Sequence, residues 1–420
     1  MGVSIALLKP LRVREFRLFY AATAVSLIGD QLTFIALPWL VLKLTADPLA
    51  VGSVLALAAI PRAVFMLIGG AVADRFSPRL VLLASNAVRM LLVLTVSALI
   101  WSEAITVWHL YVIALAFGLA DAFMFPANAA MPPRLLPADL IGAGNSLVQG
   151  TGMLTVILGP MFAGIVITFM GQQDGAIEDQ LGLSTAFLID SVTYLAPVFV
   201  FAVIRDRYPP EPEPGEVGFI DSLLDGLRYA WNDRPIRYLS LMIGTLNLIS
   251  RGPVMVGVPV YADRFLGEGA AAFGSIVAAS GVGALIGIVI AGSVRPIAES
   301  KLGLLILIDF ALFGAALIGI TLSTELIVLC AIFAAPAIMD GYMSVLMITW
   351  LHQRVPKERM GRVLSVIMFC AVGLAPISAA LAGWLIRWDL SAVMLGSGIV
   401  MWVSVAFGLL LRPVRRMGMA

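Results

Sequence analysis

Long apolar stretches alternate with short polar breaks along the whole chain. Twelve runs of about 20 apolar residues are centred near Thr23, Leu57, Leu92, Ala116, Leu154, Tyr194, Leu246, Gly283, Leu312, Phe333, Leu374 and Val403. Each run is continuously apolar. A strand of a membrane barrel would instead alternate apolar and polar residues, so the spans are expected to be helices. The pattern predicts an all-α membrane protein of twelve transmembrane helices in two six-helix pseudo-symmetric halves, residues 1–204 and 237–420. The segment between them, 205–236, is expected to be a cytoplasmic linker. Its start carries Pro209, Pro210, Pro212 and Pro214 among charges, which suits an extended chain. Ile220, Leu223, Leu224, Leu227 and Trp231 then fall on one helical face. That amphipathic helix either lies on the membrane surface or packs on the bundle ends.

Composition narrows the class further. With 60% hydrophobic and 13% charged residues, the chain cannot be an ordinary water-soluble globule, in which roughly a quarter of residues are charged. The net charge of +1 says little, but its distribution orients the chain. Arg12, Arg14, Arg17, Arg75, Arg79, Arg134, Arg205, Arg354, Lys357, Arg412 and Arg415 fall at the termini or in even-numbered loops, whereas the odd loops hold Lys43, Arg264 and Arg387. The positive-inside rule places both termini in the cytoplasm of a multi-pass protein of the cell membrane. Val3 to Leu8 is too short for the apolar core of a signal peptide, and its bases follow it instead of preceding it. Cys330 and Cys370 lie inside spans and read as small apolar fillers. His109 and His352, near span ends in opposite halves, form no metal-ligand pair, and no phosphate-binding loop is present. No cofactor, metal or nucleic acid is expected, and the protein is read as a monomer.

The halves repeat. One constant shift carries Asp121 onto Asp340, Met124 onto Met343, and Pro137-x-Asp139-x-x-Gly142-x-x-x-Ser146 onto Pro356-x-Glu358-x-x-Gly361-x-x-x-Ser365. It also carries Ala163-Gly164 onto Ala382-Gly383. A shift two residues longer carries Pro38 onto Pro259 and Asp30 onto Arg251. Duplicated halves are a common plan of transporters, in which two similar bundles rock about a site between them.

Between the second and third spans runs Gly70-Ala-Val-Ala-Asp74-Arg75-Phe-Ser-Pro-Arg79. This stretch resembles the loop between helices 2 and 3 of major facilitator transporters; Ser77 and Pro78 depart from the usual Gly and Arg. The resemblance covers essentially the whole chain and implies the major facilitator fold. Within that superfamily the chain most resembles the macrolide-efflux-like drug:proton antiporters. The stretches that carry this are Phe16-Arg-Leu-Phe19, Gly29-Asp30, Ala36-Leu-Pro38-Trp-Leu-Val-Leu42, Pro61-Arg62, Phe187-Leu-Ile-Asp190 and Pro356-x-Glu358-x-x-Gly361-Arg362-Val363. In the family, the acid corresponding to Asp74 meets the start of helix 11 when the cytoplasmic side closes. The resemblance therefore implies a conformational latch of Gly70, Asp74, Arg75 and Arg79 with Gly361 and Arg362, where helix N–H groups attract a carboxylate. The alternative is a loop whose charges only fix orientation. Leu158-Gly159-Pro160-Met-Phe-Ala163-Gly164 looks like the end of the antiporter glycine-proline motif, and Gly159, Pro160 and Gly164 are its gating residues. The helix-4 arginine of many proton antiporters is missing; that span carries Asp121 instead.

Charged side chains inside spans cost roughly 2.5–3.5 kcal/mol each on insertion scales, and usually face a cavity or a partner. Asp30, Asp121, Asp190, Asp309, Asp340, Arg62, Arg89 and Arg251 are of this kind. Asp30 is the first choice for a proton-coupling carboxylate, since a carboxylate in a low-dielectric cavity can exchange a proton near neutral pH. The competing reading is an ion pair with Arg251. Asp121 and Asp340 either bond across their own halves or line the cavity with them. Asp190 and Asp309 read as members of a buried charge network with Arg62 and Arg89. Trp39, Phe123, Phe125, Tyr194, Tyr342 and Trp350 are either core or flat surfaces for a bulky cargo.

The expected function is proton-coupled export of lipophilic or amphiphilic small molecules by alternating access. A lysophospholipid flippase or siderophore exporter on the same fold is the alternative, and a non-transporting membrane sensor is the alternative of another class. No nucleophile–base–orienter set can be assembled, so an enzyme is not expected.

Overall fold

The computed structural model describes residues 8–75, 77–170, 179–204, 227–293, 301–411 and 414, and side-chain surroundings for these except 63, 66–75, 125, 352, 357, 358, 361, 362 and 365. Among the described residues the chain is helical with short connections. A bilayer offers no water to backbone N–H and C=O groups, so each span must satisfy them within itself.

The first six spans are α1 (Arg14–Thr45), α2 (Pro48–Arg75), α3 (Pro78–Trp101), α4 (Val107–Ala129), α5 (Ala138–Met170) and α6 (Gln180–Thr193 and Leu195–Val203). The second six begin with α7, in three segments (Arg234–Gly252, Pro253–Gly257, Val258–Phe265), then α8 (Gly269–Ser293) and α9 (Leu302–Gly319). They end with α10 (Leu326–Arg354), α11, again in three segments (Lys357–Met368, Phe369–Gly373, Ala375–Ile386), and α12 (Leu390–Leu410). Eleven of these are long and apolar enough to cross a membrane; in α2 the apolar stretch among the described residues is Pro48–Arg62. The amphipathic helix expected at 220–231 lies mostly outside the described residues, of which 227–232 are helical.

Local chemistry sets the helix ends. Pro48 and Pro78 open α2 and α3, where a missing N–H costs nothing. Asp233 and Asp389 cap α7 and α12 by accepting from Ile236 and Ala392 N–H at 3.1 and 2.9 Å. His109 completes a capping box with Thr106 at the start of α4, accepting the Thr106 N–H at 3.1 Å. Trp101, Trp108 and Trp388, all more than 70% exposed, stand at span ends, where amphipathic rings favour the membrane–water boundary.

By their contacts the residues form two compact units, Met1–Pro212 with Glu268–Ser275, and Glu213–Gly267 with Ile276–Ala420. In the first, α4 lies on α2 where Gly118 meets the Ala58 carbonyl, a spacing that leaves no room for a Cβ. In the second, Gly341 of α10 meets the Ala284 carbonyl of α8 in the same way. One end of the first unit is sealed by Phe16, Phe19, Leu82, Met131, Leu135 and Phe201, all buried.

Candidate functional site

The polar core of the first unit is built on Arg89 of α3, which is only 3% exposed. Its Nη2 donates to Asp30 of α1 at 2.7 Å and lies 3.8 Å from Asp121 of α4. Its Nη1 lies 2.6 Å from the Met124 sulfur. The guanidinium carbon is 4.8 Å from the ring centres of both Phe117 and Tyr194. A planar, delocalised cation suits this site because it can bond in its plane and pack aromatic rings against its faces. Tyr194, at the joint of α6, donates its hydroxyl to Asp30. Arg62 of α2 reaches Asp121 at 3.2 Å. Helices α1, α2, α3, α4 and α6 are thus joined through two acids, two bases and a phenol.

Asp190 of α6 lies beside this cluster, fully buried, and it accepts from Thr33 of α1 and from Thr193. The sequence places Asp190 in a buried charge network with Arg62 and Arg89, and Asp190 lies within electrostatic reach of Arg89. Its hydrogen bonds come from hydroxyls, because Arg89 and Arg62 are bonded to Asp30 and Asp121. Gly29 lets α1 approach so closely that a Cβ there would strike Thr193 and Asp190. Beyond Asp30, Thr23, Ser26, Asn86, Met124 and Asn128 line a small cleft. The Asn128 Oδ1 is buried without a hydrogen-bond partner among the described residues.

In the second unit, Arg251 of α7 is exposed and gives its Nε–H to Asn247 at 3.1 Å. Asp340 of α10 is exposed within electrostatic reach of Arg251. Asp309 of α9 is 5% exposed, and its Oδ1 has no hydrogen-bond partner among the described residues. Beside Arg251 a side chain enters the helix ladder: Ser378 of α11 accepts from Gly252 N–H and donates to the Leu248 carbonyl.

Gly159, Pro160 and Gly164 of α5 pack closely. Gly159 faces the Gln31 side chain. Gly164 lies against the backbone of Ala270 and Ala271, and Gly274 against the Pro160 carbonyl. Thr168 accepts from Ala271 N–H at 3.2 Å. These first turns of α8 belong to the same compact unit as α5.

Gly70, Asp74 and Arg75 lie in the last turns of α2, and Gly361 and Arg362 in the first segment of α11; their side chains lie outside the described residues. Arg79 donates its Nε–H to the Phe201 carbonyl at 2.7 Å and an Nη2–H to Ala202 at 3.1 Å. It thereby satisfies carbonyls left free at the end of α6. Sequence reasoning missed the Tyr194 hydroxyl, Thr33 and Ser378 as polar partners. Thr33 carried a signal, three residues from Asp30 and so on the same helical face. Ser378, one hydroxyl in an apolar span, carried none.

A family model described as Major Facilitator Superfamily matches residues 19–379. The multidrug efflux pump Tap of Mycolicibacterium fortuitum is 25% identical over 379 residues, 87% of each chain. The enterobactin exporter EntS of Escherichia coli O1:K1 / APEC is 28% identical over 384 residues, covering 88% of this chain and 85% of that one. The Tap pump of Mycobacterium tuberculosis H37Rv is 26% identical over 227 residues, so the match spans 52% of that relative's length. Among solved structures, a bacterial homolog of the human lysosomal transporter Spinster, inward-facing and unoccupied, has a TM-score of 0.70 at 13% identity and covers 98% of both chains. The nucleoside transporter NupG has a TM-score of 0.68 at 11% identity, covering 95% of this chain and 100% of that one. Those two likenesses concern the fold.

Proposed function

The chain belongs to the Major Facilitator Superfamily, whose members are membrane transporters and not enzymes, and on that footing we propose that it exports amphiphilic small molecules in exchange for protons across the cell membrane. The observation that carries export is the match along most of both chains to relatives named as exporters, a multidrug pump and an enterobactin exporter. Proton exchange is supported by the Asp30–Arg89–Tyr194 cluster. A proton arriving at Asp30 neutralises the carboxylate that Arg89 bonds. Once Asp30 is neutral, its ion-pair attraction to Arg89 is lost and the hydrogen bond between them weakens, which leaves Asp121 as the anion beside Arg89. Because those bonds join α1, α3, α4 and α6, a proton there alters how the bundle holds together, which is what coupling to alternating access requires.

A siderophore cargo fits as well, since the likeness to the enterobactin exporter is as extensive as that to the pump. The deciding experiment is transport by purified protein in liposomes under an imposed pH gradient. The panel holds a lipophilic dye, a macrolide, a catecholate siderophore and a lysophospholipid. Gradient-driven flux of dye or macrolide, lost in Asp30→Asn while downhill flux persists, supports drug export through Asp30. Flux of the siderophore alone reassigns the cargo. Full gradient-driven transport by Asp30→Asn removes Asp30 from coupling, and no flux of any compound overturns the reading.

A further inference from the structure

The charged positions of the first bundle recur in the second with their signs rearranged. The repeat carries Asp30 onto Arg251 and Asp121 onto Asp340, and a shift between those two carries Arg89 onto Asp309. Asp121 and Asp340 stand equally far from the starts of their helices, Val107 and Leu326. In the first bundle the central, buried position holds the cation, with an acid on either side of it. In the second, the cation has moved to the α7 position and an acid occupies the centre. Arg251 and Asp340 are exposed, whereas Asp309 is 5% exposed with Oδ1 unbonded among the described residues.

The surroundings of Asp309 are simple. Its own helix, Leu302–Gly319, carries no other titratable group, and α12, packed against it, has none between Leu390 and Leu410. From α10 the charged group within electrostatic reach is Asp340, and Arg251 of α7 acts on Asp340 in turn. Among the described residues, Asp309 therefore faces an acid, with no cation bonded to it.

We propose that Asp309 is a proton-binding site of this transporter. The proposal rests on the reading of proton-coupled export. An ionised carboxylate in an apolar span with an unbonded oxygen is strongly unfavourable. With a proton it is neutral and can donate a hydrogen bond. Loading forms an O–H bond on Asp309 with a proton from hydronium, which is left as water. Release reverses the path. A cationic cargo near Asp309 favours its ionised form and so expels the proton, which is the chemistry of exchange.

The test uses the full chain in liposomes, comparing wild type, Asp309→Asn and Asp309→Glu. Infrared spectra taken across a pH titration report protonated carboxyl groups, and ethidium serves as the cationic probe of flux. We expect a titrating carboxyl band in the wild type that is lost in D309N and shifted in frequency in D309E. Gradient-driven ethidium efflux falls to background in D309N, persists in D309E, and downhill flux survives in both. An unchanged band and unchanged gradient-driven efflux in D309N overturn the proposal. Should D309N not fold, a wild-type spectrum whose titrating bands do not move in D309E overturns it equally. Efflux insensitive to the gradient, with the Asp309 band still titrating, overturns the proton-coupled reading alone. Gradient-driven efflux without that band overturns the Asp309 site alone.

Discussion

Ser378 of α11 accepts the Gly252 N–H of α7 at 2.7 Å and donates its own hydroxyl hydrogen to the Leu248 carbonyl at 2.7 Å. An unbroken helix would pair those two backbone groups with each other. The hydroxyl therefore stands inside the ladder of α7, directly before Pro253 and the wide turn Pro253–Gly257. Inserted side chains and wide turns are recognised causes of helix kinks, and Arg251 adjoins both features.

Ser378→Ala leaves both backbone groups without their partner unless α7 closes over the gap. Either outcome has a signature. An unrepaired gap costs about 1–3 kcal/mol and lowers the unfolding midpoint in detergent. A repaired ladder keeps the midpoint but straightens α7, which spin labels at either end of α7 would read as a changed separation. A variant unaltered in both measurements would show that the inserted hydroxyl has no structural role.

Arg89→Met removes the cation from between Asp30 and Asp121. Breaking a buried pair from one side costs roughly 3–5 kcal/mol, so poor yield and a low unfolding midpoint are expected. Asp30→Asn is milder, because Arg89 retains Asp121 and its two aromatic neighbours. The double variant Arg89→Met/Asp30→Asn is expected to recover part of the loss, and a double-mutant cycle of unfolding midpoints measures the coupling. Strict additivity would mean that the two side chains do not interact in the folded protein.

The helical architecture was legible because a bilayer imposes a coarse rule: about 20 apolar residues per span, with charges only where something receives them. That rule located Asp30, Arg89, Asp121, Asp190 and Asp309 individually. It could not choose partners, because partners depend on which helix faces which, and a continuous apolar span hides its own buried face. Asp190 shows the limit: its charge suggested an arginine, yet its hydrogen bonds come from Thr33 and Thr193. Ser378 shows it again, since its importance depends on where α7 is interrupted.

The stripe of small residues on α5 makes a steric prediction. Gly274→Val places side-chain atoms against the Pro160 carbonyl, which is part of a helix and cannot move aside cheaply. We expect the first turn of α8 to separate from α5, exposing the Thr168–Ala271 hydrogen bond, and amide exchange at Ala271 to accelerate. Gly142→Ala is the control, as a Cβ there meets nothing within 4 Å. Equal exchange at Ala271 in the two variants would show that the close approach is not needed to hold this contact.

Asp233 has two roles at the start of α7, and they can be separated. Its Oδ1 accepts the Ile236 N–H at 3.1 Å, while the Arg354 Nε–H from the end of α10 is shared between Oδ2 at 3.1 Å and Oδ1 at 3.2 Å. Both side chains are about a fifth exposed, so salt reaches the ion pair, which is worth about 1 kcal/mol or less. The cap is a local hydrogen bond worth about 1 kcal/mol, and Asn performs it as well as Asp. Asp233→Asn therefore loses only the ion pair, and its deficit against wild type is expected to shrink as salt rises. Asp233→Ala loses the cap as well. Its deficit against Asp233→Asn is expected to stay constant across the same salt series, because a neutral hydrogen bond is not screened. Unfolding midpoints of the three proteins at low and high salt decide it. If Asp233→Ala is no less stable than Asp233→Asn at either salt, the cap is not what holds the start of α7, and Asp233 acts there through its charge.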